Sequence, residues 1–388
     1  MTPVDPGRIY ESRSSNPAYV TVDGQSRGGG RTLAGGITEI KVTGRANVAT
    51  DAEAVFLNVA AVSPSGPGFL TVFPCGTTRP NAANINYVGG GVAANAVLAK
   101  IGDSGKICVF TLAETDLVID INGYIPAGAG TQSVDPGRIY ESRSSNPAYV
   151  TVDGQSQGGG RTLAGGITEI KVTGRANVAT DAEAVFLNVA AVSPSGPGFL
   201  TVFPCGTTRP NAANINYVGG GVAANAVLAK IGDSGKICVF TLAETDLVID
   251  INGYIPAGAG TQSVDPGRIY ESRSSNPAYV TVDGQSQGGG RTLAGGITEI
   301  KVTGRANVAT DAEAVFLNVA AVSPSGPGFL TVFPCGTTRP NAANINYVGG
   351  GVAANAVLAK IGDSGKICVF TLAETDLVID INGYIPGS

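Results

Sequence analysis

The chain repeats itself with a period of 130 residues, and that limits every other reading. "VDPGRIYESR" begins at Val4, again at Val134 and again at Val264. Between Val4 and Pro126 and the two matching spans a single position differs: Arg27 stands where the later copies carry Gln157 and Gln287. Solenoid repeats run ~20–50 residues and cannot fold alone, whereas a unit of this length is an ordinary domain. The expected division is three domains, 4–126, 134–256 and 264–386, joined by "AGAGTQS" at 127–133 and 257–263. Natural tandem copies drift apart. The near-identity therefore reads as an engineered concatemer of one domain, with a recently amplified gene as the alternative.

Each copy has to supply its own core, and 43% hydrophobic residues suffice for that. The 56 Gly and 22 Pro punctuate the chain into short segments. A balance of 25 basic against 30 acidic residues argues against a nucleic-acid partner, which needs a basic footprint. No apolar run approaches the ~18–20 residues of a membrane span, so no membrane insertion is expected. Met1-Thr2 reads as an added start, so a secretory leader is expected to have been removed.

The six cysteines fall two per copy: Cys75 and Cys108, Cys205 and Cys238, Cys335 and Cys368. An even count invites one disulfide per copy. Such a bridge closes a loop worth about 3–4 kcal/mol in the chain-entropy picture, and it implies an extracellular origin. With no CxxC and no His anywhere, neither a metal site nor a cofactor is expected.

The segments of one copy read as strands. "AYVTVDG" at 18–24 alternates before a turn, and "GGGRTLAGG" at 28–36 is a glycine-rich loop. "ITEIKVTG" at 37–44 sets Ile37, Glu39, Lys41 and Thr43 on one face and Thr38, Ile40 and Val42 on the other, as a strand with one exposed face does. "AEAVFLNVAAVS" at 52–63 is apolar on both faces, like a central strand. "FLTVFP", "NAANINYV", "VAANAVLAKIG", "GKICVFTL" and "DLVIDINGYI" follow. Ala-rich Val92–Lys100 could be a helix, but its alternation and Gly boundaries favour a strand. Eight or nine short strands at regular spacing predict an all-β fold: three tandem jelly-roll-like β-sandwich domains. Asn58, Asn84, Asn86 and Asn95 lie inside these apolar runs, where Asn is normally depleted. They read either as amides tying loops and bulges to backbone groups, the favoured reading, or as the lining of a polar groove.

"PGRIYESR", "AVFLNVAAVSPSGPGFLTVFPCG", "RPNAANINYVGGGVAANAVLAKIG" and "DLVIDINGYI" together resemble a domain that recurs in secreted and cell-wall-associated proteins of actinobacteria and related bacteria. The likeness covers nearly the whole unit and departs from the family's Leu-Asp-Thr-Arg-like opening at Tyr10–Arg13. It implies a secreted or cell-surface β domain and supplies no catalytic residues.

Several motifs suggest chemistry and lack a partner for it. "GDSGK" at 102–106 looks like a serine-protease nucleophile loop, but there is no His to act as base, so it reads as a β-turn. "GGGRT" lacks the Lys-Ser/Thr and the helix of a phosphate loop. "DINGY" at 120–124 begins like a calcium loop without its later ligands. The carboxylate pairs Asp51/Glu53 and Asp116/Asp120 sit at turn-to-strand edges, where solvated acids are common. No enzyme is expected. Tyr10, Arg13, Tyr19, Arg79 and Tyr87 are the candidate ligand contacts, since Tyr and Arg suit both sugar stacking and protein contacts. Core-capping tyrosines are the alternative.

The sequence thus suggests a non-enzymatic extracellular structural or adhesive module in a tandem array, its partners being cell-wall polysaccharide or other copies of itself. Two rivals stand beside it: a carbohydrate-binding module using avidity, and a single-chain pseudo-symmetric trimer. A linker of seven residues reaches at most roughly 25 Å, which permits a string of beads or a closed ring.

Overall fold

The computed structural model describes residues 1–13, 20–26, 28–143, 150–273 and 280–387. Among these residues every regular element apart from one short turn of 3-10 helix per copy is a strand. In the first copy the strands are β1 (Thr2–Glu11), β2 (Ile37–Lys41), β3 (Ala54–Val62), β4 (Gly68–Pro74), β5 (Ile85–Tyr87), β6 (Val92–Lys100), β7 (Lys106–Thr111) and β8 (Asp116–Ile125). The set recurs from Gln132–Glu141 to Asp246–Pro256 and from Gln262–Glu271 to Asp376–Ile385.

Each copy forms two four-stranded sheets, ordered β1-β8-β3-β6 and β2-β7-β4-β5, with antiparallel pairing throughout. Both sheets contribute to one apolar core: Val55, Leu57 and Val59 of β3 and Ile119 of β8 from the first, Leu70 and Val72 of β4 and Val109 of β7 from the second. Alternation explains the choice. In β2 Ile40 points in and is buried, while Ile37, Glu39 and Lys41 point out; Thr43, expected on that outer face, is buried because the alternation stops where β2 ends at Lys41. The Ala-rich segment expected as a strand is β6, paired with β3 over nine residues.

A further expectation needs correction, and one strand was not foreseen. Val20–Gly24, the described part of "AYVTVDG", is a turn and not a strand, closed by Gly24 N–H donating to the Thr21 carbonyl at 3.1 Å. The strand at this end of the unit is β1, whose Pro3 and Pro6 gave no strand signal. It lies at the edge of its sheet, where missing N–H donors are tolerated, and its register with β8 shifts between Pro3 and Gly7.

The three copies are not beads. A second apolar interior, separate from the three cores, draws on all of them: Phe56, Phe186 and Phe316 of the β3 strands, Leu98, Leu228 and Leu358 of the β6 strands, and Ile125, Ile255 and Ile385. This is why "AEAVFLNVAAVS" is apolar on both faces. Val55, Leu57 and Val59 face the copy's own core, whereas Ala54 and Phe56 face the common interior. Contacts run from copy one to two, two to three and three back to one, closing a ring about a pseudo-three-fold axis. The linkers take part in it. Gln132 and Ser133 already pair with Tyr254 and Gly253, Ala259 is buried in the common interior, and Thr131 Oγ1 lies 2.9 Å from Thr261 Oγ1.

Candidate functional site

The common interior is apolar at its centre and carries a polar belt of asparagines. Asn95 on β6 donates to the Asn84 carbonyl of its own copy at 2.7 Å and to Asn188 Oδ1 of the next at 2.9 Å. Its Oδ1 accepts from Ala226 N of that same neighbour at 3.0 Å. Asn188 in turn donates to the Ala83 carbonyl at 2.6 Å. The pattern repeats as Asn225–Asn318 at 2.9 Å and Asn355–Asn58 at 2.8 Å. Burying an amide without partners is costly, and here Asn95 draws two of its three partners from the next copy. The strand asparagines therefore tie copy to copy. Of the four named in the sequence, Asn58 and Asn95 cross between copies, whereas Asn84 serves mainly its own, accepting from Val72 N at 2.7 Å. Asn86 is half-buried opposite Phe69.

A buried ion-pair network flanks the belt. Arg8 Nε lies 2.9 Å from Asp120 Oδ1 and Arg8 Nη1 3.2 Å from Glu11 Oε2, while Arg13 holds the same Glu11 at 2.7 Å. The Asp120 carboxylate also accepts from Ala343 N of the third copy at 2.9 Å. Its counterparts Asp250 and Asp380 accept from Ala83 and Ala213 at 3.1 Å. Burial pushes the Asp250 and Asp380 carboxyls up, against the opposing pull of Arg138 and Arg268. The start of "DINGY" is thus engaged with Arg8 and a neighbouring copy. At the rim Lys100–Asp135, Lys230–Asp265 and Lys360–Asp5 join successive copies at 2.8, 2.9 and 2.8 Å.

Gly123 shows how tightly copies approach. A Cβ there would lie 2.7 Å from Leu358 Cδ2 of copy three and 2.9 Å from the Thr2 carbonyl. Gly253 and Gly383 meet Leu98 and Leu228 in the same way, each at 2.8 Å.

The residues singled out from sequence do not converge on one surface. Tyr87 is buried, its hydroxyl 2.7 Å from Thr111 Oγ1 and accepting from Ala113 N at 3.0 Å, so it caps the core. Tyr10 packs against that core, and burial pushes its phenol up. Arg13 is bound to Glu11. Arg79 is exposed on the outer face, its guanidinium 4.3 Å from the Phe110 ring centre and 5.9 Å from that of Phe69. It therefore covers the ring faces that a sugar would need. Tyr19 lies outside the described residues.

Cys75–Cys108, Cys205–Cys238 and Cys335–Cys368 are disulfides, each bridging the end of a β4 strand to the adjacent β7 strand. Ser104 of "GDSGK" sits in a single 3-10 turn at φ 57°. Asp116 accepts from Ser12 Oγ at 2.6 Å and pairs with Arg31 at 3.0 Å. No helix among the described residues is long and apolar enough to cross a membrane.

No family model matches this chain, and no curated protein matches it. Among solved structures it is similar to one described under "The Triple Jelly Roll Fold and Turret Assembly in an Archaeal Virus", with 9% identity, 100% of this chain and 92% of that one covered, and a TM-score of 0.22. Another, under "Life in the extremes: atomic structure of Sulfolobus Turreted Icosahedral Virus", gives 10% identity, 92% and 86% coverage and a TM-score of 0.21. Superpositions this poor carry no argument about the chain's fold or function.

Proposed function

We propose that this chain is a non-enzymatic, extracellular structural module: three jelly-roll β-sandwiches closed into a single-chain pseudo-symmetric trimer that presents each outer surface three times. The observation that carries the reading is the interior shared by Phe56, Phe186 and Phe316, which no copy could bury alone. Two four-stranded antiparallel sheets on one core, in the orders β1-β8-β3-β6 and β2-β7-β4-β5, support the sandwich assignment. One disulfide per copy supports an oxidising compartment, as does the resemblance to secreted actinobacterial domains. Three equivalent outer faces would give an adhesive role its avidity. The carbohydrate-binding alternative draws less support, because Tyr87 is buried and Arg79 lies on the aromatic faces.

Light scattering on the excised span 134–256 tests the proposal. We expect three times the fragment's formula mass. A folded, monomeric fragment would overturn it. Retention on peptidoglycan or polysaccharide beads, lost when Arg79, Arg209 and Arg339 become alanine, would instead favour the binding module.

A further inference from the structure

The common interior contains a cavity of about 20 Å³, walled by Phe56, Phe186 and Phe316 together with Asn188, Asn252 and Asn318. One atom in its wall stands apart. Asn252 Nδ2 is fully buried without a protein hydrogen-bond partner, the one such side-chain atom among the described residues. The residue is 4% exposed.

Its position follows from a β-bulge. Phe186 pairs with Gly253 and Leu187 with Ile251, so Asn252 is the extra residue with no partner across the ladder. A bulge re-aims the side chain it carries, and this one lines the cavity of the common interior.

The cavity dictates the guest. Roughly 10–15 Å³ accommodates one water, so the space suits a single small molecule. The unpaired group is an N–H donor, so the guest must accept a hydrogen bond. The wall holds no carboxylate, ammonium or guanidinium, and an ion would be buried there without countercharge. Asn188 and Asn318 each accept one amide proton at Oδ1, from Asn95 and Asn225. Each oxygen keeps a second lone pair for a guest that also donates. Water meets all of these demands.

We propose that the axial cavity is a binding site for one water molecule, which accepts from Asn252 Nδ2 and donates to the asparagine belt. One guest cannot serve three asparagines alike, so it makes identical copies inequivalent. The three rings around the cavity are already unequal: Phe316 meets both Phe56 and Phe186 edge-on, at 5.9 and 5.6 Å between ring centres.

The test is an atomic-resolution crystal structure of the full chain, with and without a bromide soak. We expect one peak ~2.7–3.2 Å from Asn252 Nδ2, without anomalous signal in bromide. We also expect a water-to-amide cross-relaxation signal in solution that disappears in Asn252→Leu. An anomalous bromide peak, an empty cavity, or an Asn252 amide bonded to a protein group would each overturn the proposal. If the leucine variant does not fold, the crystal structure of the unaltered chain decides alone.

Discussion

Asn95, like its equivalents Asn225 and Asn355, links three groups at a seam, meeting Asn84 of its own copy and both Asn188 and Ala226 of the next. Changing Asn95, Asn225 and Asn355 together to alanine strands a buried N–H and a buried carbonyl at every seam. Each orphaned group costs about 1–3 kcal/mol, so we expect a large fall in melting temperature by circular dichroism. Acid sensitivity can also be assigned to residues. Hydrogen bonds from Arg45, Arg175 and Arg305 hold Asp23, Asp153 and Asp283 below the usual carboxylate range. A depressed carboxyl contributes stability that is present above its unfolded pKa of ~3.9 and is lost as pH falls through the folded value. Denaturant midpoints measured from pH 5 downward should therefore fall more steeply for the unaltered chain than for the triple Asp→Asn variant. Equal slopes would show that these pairs do not matter. Asp250 and Asp380 shift the opposite way, which is why the difference between the two proteins is the quantity to read.

Among the elements, β4 and β7 are tied by hydrogen bonds and by Cys75–Cys108, a separation of 33 residues. Thiol titration of unreduced, denatured chain should find no free thiol, and after reduction six. Any thiol before reduction would contradict the pairing. Replacing one pair by alanine should cost that copy about 3–4 kcal/mol by the chain-entropy estimate. Much of this level was legible beforehand. The alternation of β2 and the two-faced apolarity of β3 announced themselves, and β6 read correctly because its alternation outweighed its alanines. β1 escaped because Pro3 and Pro6 mask an edge strand that needs few donors. "VTVDG" misled because two valines two apart mimic a strand, while Gly24 closes a turn. The asparagines could be seen as an anomaly, yet their role could not be read. Their partners across the seams lie 93 to 297 residues away in sequence, and one copy holds only half of each such contact.

At the level of the whole molecule, the ring has two seams spanned by linkers and one, between copies three and one, held by contacts alone: Asn355–Asn58, Ala343–Asp120 and Lys360–Asp5. Gly123 packs across it against Leu358. Gly123→Ala puts a methyl where Leu358 and a backbone carbonyl already stand, so we expect it to loosen this seam first. Cleavage by a protease added to the folded chain should rise at residues near it, and an unchanged pattern would count against the assignment. The seam between copies three and one has the geometry of the two linked ones, so the order of the copies is circular. Rotate the text by one copy, joining the old ends with "AGAGTQS" and starting at Val134, and almost the same protein is spelled out, with only Arg27 moved from the first copy to the last. Three such orderings are interchangeable, and folding gives no reason to prefer one.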